Sequence, residues 1–191
     1  MEGRTVVDFL TGSAAYGYYR PVVFAALRLF ERLFGGGGWP HNPFADHALL
    51  LLLHAANAAL VWALARSLAR ASGRRGADAF AWAAALLFAA LPFSYEAVAY
   101  VASLTHPLVT FWLLLTLLGV AKADELRTER RPPAARHAPL ATDYRPLLAA
   151  YWPLLPMTLA LLTHENGLLA LPALLGVDWL RRPGDGWRAR L

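Results

Sequence analysis

The sequence predicts an all-α fold, a polytopic membrane helix bundle with an external interfacial amphipathic helix, and three observations predict it. The 191 residues are 58% hydrophobic and only 16% charged, with a mean hydropathy of +0.39, whereas soluble domains carry roughly 25% charged residues. Several uncharged runs reach the ~17–25 residues that cross a bilayer. The basic residues are segregated, fourteen of the 18 Lys+Arg falling in three alternate segments, as the positive-inside rule requires. That segregation explains the sequence pI near 10.0 as a topology signal, and no nucleic-acid partner is expected. The absence of cysteine excludes a disulfide framework and a thiolate metal site.

Residues 1–46 contain no span and read as an external loop. Within it, Pro21 to Phe34 form an amphipathic helix. Proline sits at the permitted first turn, and Arg28, Glu31 and Arg32 share one face, while Val23, Phe24, Leu27, Leu29, Phe30, Leu33 and Phe34 supply a wide apolar surface. Such a helix either lies on the membrane surface or packs against the spans. Tyr16, Tyr18, Tyr19 and Trp39 around it are interface-type residues.

Five membrane helices are expected at 47–70, 79–95, 97–121, 146–163 and 167–180. The first holds an uncharged run from Ala48 to Ala65, with His54 and Asn57 as its polar points. Between Asp78 and Asp124 the only acidic or basic residues are Glu96 and Lys122, a stretch too long for one helix at about 1.5 Å per residue. It therefore reads as two helices turning near Pro92 to Glu96. Pro146 to Thr163 gives the fourth span, and the short run after Gly167, carrying Asp178, the fifth. Residues 122–145, rich in Arg and Pro from 126 onward, read as a cytoplasmic loop without a packed core, and 181–191 as a cytoplasmic tail.

The arginines set the orientation. Arg66, Arg70, Arg74 and Arg75 fall in the first connection, six basic residues from Lys122 to Arg145 in the third, and Arg181, Arg182, Arg188 and Arg190 after the last span. The opposite connections, 94–105 and 164–166, contain none. The N-terminus is thus expected outside and the C-terminus inside, in an integral membrane protein. An external head that carries Arg4, Arg20, Arg28 and Arg32 without a preceding apolar segment predicts a further span upstream of Met1, and the end at Leu191, just after a span, predicts more sequence downstream.

Ionisable groups at membrane depth are costly and mark functional candidates. Glu96, at the external turn, is a candidate acid, base or metal ligand; as a turn residue near a helix N-terminus it also suits the helix dipole. His54 and Asn57, three apart, share a helix face with His47 close by, and either line a polar cavity or make interhelical hydrogen bonds. His41, Asp46 and His47 have metal-ligand chemistry without the spacing of a metal motif. Thr163-His164-Glu165-Asn166-Gly167 breaks two apolar runs on the side that also holds Glu96 and His106, as a headgroup- or phosphate-binding cluster or as a simple hairpin connection. There is no phosphate-binding P-loop, nucleophile elbow or zincin motif.

In order, the chain contains Tyr18-Tyr19-Arg20-Pro21, then Leu51-Leu52-Leu53-His54-Ala55-Ala56-Asn57-Ala58, then Leu86-Leu87-Phe88 leading to Glu96-Ala97-Val98-Ala99. The last element is Leu161-Leu162-Thr163-His164-Glu165-Asn166-Gly167-Leu168 with Leu171-Pro172 and Val177-Asp178. Over residues 18–180 this set resembles the front of the GT-C superfamily of polytopic membrane glycosyltransferases. It looks most like bacterial relatives of the transmembrane and tetratricopeptide-repeat O-mannosyltransferases. The resemblance implies transfer of a sugar from a polyprenyl-phosphate donor to an acceptor protein or glycan on the periplasmic face of a bacterial inner membrane. It also implies an acidic catalytic or metal-binding motif in the first external loop, upstream of this chain.

Residue by residue, Arg20, His54, Asn57, Glu96 and Glu165 match that pattern. Two positions depart: Ser103-Leu104-Thr105-His106 stands where the family has SGRK or SGRT, and Thr163-His164-Glu165 where it has SKE. Neutral histidine donates a hydrogen bond but supplies no full charge. The expectation is a glycosyltransferase with Glu96 and Glu165 as catalytic acids or bases, and Arg20, His106 and His164 at the lipid phosphate. His54 and Asn57 are expected to order the helices behind them. The cofactor is unknown, with a divalent metal as one candidate, and the competing reading is a noncatalytic membrane scaffold or subunit with the same helix packing.

Overall fold

A computed structural model describes residues 20–34, 43–91, 103–129 and 151–181. All regular structure among them is helical: α1 (Pro21–Phe34), α2 (Pro43–Ala71), α3 (Ala77–Ala90), α4 (Thr105–Glu129), α5 (Leu154–Thr163), a 3₁₀ turn (Glu165–Leu169) and α6 (Ala170–Arg181).

The longest helix, α2, is an Ala- and Leu-rich run of 29 residues, about 43 Å at the standard rise. Asp46 in its first turn and Arg70 in its last both complement the helix dipole. Its end is a Schellman motif. Gly73 takes the left-handed backbone conformation at φ 65°, donating to the Arg70 carbonyl, while Arg74 N–H reaches the Ala69 carbonyl, each at 3.0 Å. The chain then reverses tightly into α3, and Arg66 pairs with Asp78 across the turn. Trp62 meets Trp82 at 5.8 Å and His54 meets Phe88 at 5.4 Å, so α2 and α3 run antiparallel. The buried small residues Ala81 and Ala85 let the two backbones approach closely.

Helix α4 runs parallel to α2 and antiparallel to α5. Asn57 of α2 donates to the Pro107 carbonyl at the head of α4 at 2.9 Å. Gly119, farther down α4, faces the Trp152 ring and Pro153 before α5. Helix α1 packs against α5, with Pro21 and Val23 buried and Leu29 and Leu33 exposed.

Two helical stretches have membrane-crossing length and composition, Asp46–Ala71 and Thr105–Ala123; only 17% and 39% of their most apolar windows are buried in the protein. Leu52, Trp82, Leu86, Leu87 and Leu155 are also exposed. Water tolerates such a continuous apolar surface poorly, while lipid tails are as apolar as leucine. The fold is an all-α membrane helix bundle with shorter apolar helices around the two long ones.

Three helix limits differ from the sequence expectation. The helix expected over 97–121 begins at Thr105, after a turn at Ser103 and Leu104, and continues to Glu129. Pro107 falls in its first turn, where an amide N–H has no intrahelical partner to lose, and no breaker intervenes before Pro132. The expected run 146–163 is interrupted by a turn at Trp152 and Pro153, and α5 starts afresh at Leu154. The run from Gly167 begins as a 3₁₀ turn and becomes α-helical at Ala170.

Candidate functional site

The polar break between α5 and α6 is shaped by Gly167. A Cβ there would lie 2.7 Å from the backbone carbonyl of Ala160, so only glycine lets the chain double back against α5. The last turn of α5 also closes on itself. Thr163, fully buried, donates its hydroxyl to the Leu159 carbonyl at 2.6 Å, and His164 N–H reaches the Ala160 carbonyl at 3.1 Å. His164 then leaves the helix in extended backbone, φ −163° and ψ 150°, which turns its ring inward and leaves Glu165 outside.

The His164 ring is buried, and its Nδ1 accepts the backbone N–H of Asn166 at 3.1 Å. An Nδ1 that accepts carries no proton, so the neutral ring is protonated at Nε2. Nε2 lies 3.4 Å from Glu165 Oε1. Burial pushes the His164 pKa below the ordinary imidazole value, and the nearby Arg20 and His106 push it the same way against the pull of Glu165.

Glu165 is exposed and is met from a distant part of the chain. Arg20, at the head of α1, donates from one Nη2 to both carboxylate oxygens, at 3.3 and 3.4 Å. The Glu165 carboxyl is held below its ordinary pKa, first by a hydrogen bond from its own backbone N–H and further by the Arg20 guanidinium, against partial desolvation. His106, in the first turn of α4, completes the group, its ring centroid 5.5 Å from that of His164. Residues 20, 106, 164 and 165 thus converge at one end of the bundle from three separate segments. Chemically the cluster offers a held carboxylate, one permanent cation and two imidazoles, an arrangement able to grip a phosphate and to take or give a proton at a hydroxyl.

The other expected residues divide. His54 and Asn57 share a face of α2 but turn to different neighbours. Asn57, buried, bonds to α4 through its amide N–H, while its Oδ1 has no hydrogen-bond partner among the described residues. His54 stacks on Phe88 of α3 with Nε2 3.4 Å from the Ala89 carbonyl. Glu96 lies outside the described residues, as does His41. Among the described residues no three His, Asp or Glu side chains are grouped to hold a metal ion. One feature escaped the sequence reading: Arg66, Trp62 and Asp78 form a second polar assembly at the far end of α2, with the Arg66 guanidinium 4.9 Å over the Trp62 ring. The i, i+4 spacing of Trp62 and Arg66 was the available signal.

No protein-family model, no curated protein and no solved structure matches the chain.

Proposed function

We infer that the protein is a membrane glycosyltransferase acting on a polyprenyl-phosphate-linked sugar, with an acceptor protein or glycan as its second substrate. The observation that carries this reading is the meeting of Arg20, His106, His164 and Glu165. Motifs whose order resembles that of GT-C enzymes bring their cation, imidazoles and carboxylate to one end of an apolar bundle. The distribution of arginine supports an external, periplasmic position for that end in a bacterial inner membrane, with the N-terminus outside and the C-terminus cytoplasmic.

In the proposed step a carboxylate, Glu165 or Glu96, removes the proton of an acceptor hydroxyl. The oxygen attacks the anomeric carbon of the donor as that carbon's bond to the phosphate oxygen breaks. Polyprenyl phosphate leaves with the electron pair, and Arg20, His106 and His164 stabilise its charge. Arg20 carries a second role. While it holds Glu165, the carboxylate is a weak base; transferring the guanidinium to the donor phosphate raises the basicity of Glu165 when the donor is present.

The test is transfer of radiolabelled hexose from polyprenyl-phosphate mannose or glucose by membranes containing the full-length protein. Glu165→Gln, Glu96→Gln and His164→Ala each lower the rate, the carboxylate that serves as base by about 100-fold or more. Unchanged transfer by both Glu96→Gln and His164→Ala would sink the site assignment. A second reading, a noncatalytic scaffold or subunit on the same helix packing, is favoured by one observation: Thr105 and His164 occupy positions where the resembled enzymes carry permanent cations. That reading expects no transfer from the wild-type protein, where the enzyme reading expects transfer that the variants lower.

A further inference from the structure

The end of the bundle away from His164 carries a second concavity. A cavity of about 540 Å³ lies between α2 and α4, lined by Trp62, Arg66, Ser67, Arg70 and Lys122. Arg66 and Arg70 share the single carboxylate of Asp78, so these two guanidiniums carry one positive charge in excess of that carboxylate. Lys122 stands 17 residues beyond Thr105, about 25 Å along α4. In a hydrocarbon core about 30 Å thick, the cavity opens near the headgroups of the opposite leaflet from His106.

A second cavity, also about 540 Å³, follows the outer faces of α2 and α3. Its walls include Leu51, Ala58, Trp82 and Leu86, and it is almost wholly apolar. From Trp62 back to Leu51 it extends about 16 Å along α2, close to the depth of one leaflet. Trp62 lines both cavities. Its indole is flanked by the Arg66 guanidinium at 4.9 Å and the Trp82 ring at 5.8 Å, and its buried Nε1–H has no hydrogen-bond partner among the described residues.

A basic chamber at headgroup level, sharing Trp62 with an apolar groove one leaflet deep, matches one kind of ligand. We propose that the two cavities form a single site for an anionic phospholipid. Its phosphate lies against Arg66, Arg70 and Lys122, and one acyl chain follows the groove between α2 and α3. Charge complementarity selects the anionic headgroup. The ester carbonyls, which lie where head meets tail, supply the acceptor for the Trp62 indole N–H.

The test is native mass spectrometry of the full-length protein released from detergent with phosphatidylglycerol or phosphatidylcholine of identical acyl chains. Phosphatidylglycerol is retained at least about 5-fold better, and the double variant Arg70→Gln, Lys122→Gln loses about 25-fold of its phosphatidylglycerol affinity, at roughly 5-fold per basic residue. Equal retention of the two lipids by the wild type, or an unchanged preference in the double variant, overturns the proposal. Glycerol phosphate added alone distinguishes a free anion from a lipid: it leaves phosphatidylglycerol in place, and its displacement of the lipid at matched concentration rules out the groove as part of the site. A conservative pair, Trp62→Phe with Trp82→Phe, gives a readout independent of the charge variants. Phosphatidylglycerol brominated in its acyl chain quenches a fraction of the wild-type tryptophan emission, and that fraction falls in the pair. An equal quenched fraction in the two proteins counts against the acyl-chain assignment.

Discussion

Arg20 meets Glu165 across 145 positions of sequence, one Nη2 standing 3.3 and 3.4 Å from the two carboxylate oxygens. This contact ties the head of α1 to the break between α5 and α6. Glu165 is largely exposed, so the pair adds little to stability. Arg20→Ala is accordingly expected to leave the melting temperature in detergent within about 2–4 °C of wild type. On the proposed function, sugar transfer is expected to fall about 10- to 100-fold, the worth of a hydrogen bond to a charged group. Arg20→Lys falls between the two, because an ammonium replaces the guanidinium fork with a point charge. A melting shift well beyond about 4 °C would assign Arg20 to structure instead.

Gly167 and Gly119 make a contrasting pair. At Gly167 an added methyl meets the backbone of Ala160 and Leu161 at 2.7 Å, whereas at Gly119 it meets the Trp152 ring at 2.6 Å. Backbone inside a helix cannot yield, but a partly exposed indole can rotate. Gly167→Ala is expected to destabilise by about 1–3 kcal/mol, the range for forced overpacking, and Gly119→Ala by clearly less. Thermal unfolding of the two variants in the same detergent compares them directly.

Asn57 links α2 to the first turn of α4 through an amide N–H at 2.9 Å from the Pro107 carbonyl. Asn57→Ala should cost about 0.6–2 kcal/mol, the span measured for interhelical hydrogen bonds in membranes. Asn57→Asp should cost more, since an ionised carboxylate cannot donate and would set its charge against the carbonyl dipole. Equal melting temperatures for the two variants would mean that the amide hydrogen is not what joins these helices.

The burial of His164 predicts a pH dependence whose sign follows from linkage. Its folded pKa lies below the unfolded value, which is about 6.5. Between those two values the unfolded chain binds more protons, so stability rises with pH there. The contribution is complete above about pH 6.5 and is lost as pH falls through the folded pKa. His164→Gln should flatten this part of the stability curve in detergent. A slope as steep in the variant as in the wild type would assign the titration to another group.

Much of the helical layout was legible because its causes are local. The uncharged runs, the arginine-marked turn after Ala71 and the polar break at 163–167 all announce themselves in hydropathy. The limits of α4 were not, because apolar composition continues smoothly through 97–104 while the helix starts only at Thr105. For the site, sequence order brought out Arg20, His106, His164 and Glu165 as separate candidates, but no spacing states that Arg20 reaches Glu165 or that the two imidazole rings stand 5.5 Å apart. Those contacts depend on how α1 packs on α5 and how α4 lies beside it. The same holds for His54 and Asn57: their shared helical face was plain, but their separate neighbours were set by α3 and α4.

The hydrogen bond from Asn166 to His164 Nδ1 leaves this imidazole a single open nitrogen. A ring with both nitrogens open can take a proton on one side and release it from the other. His164 has no second side: Nε2 already bears the ring proton and can only give it, and Nδ1 can take one up only by breaking the hydrogen bond from Asn166. In any traffic of protons across this end of the bundle, His164 is a terminus facing Glu165 and not a link in a wire.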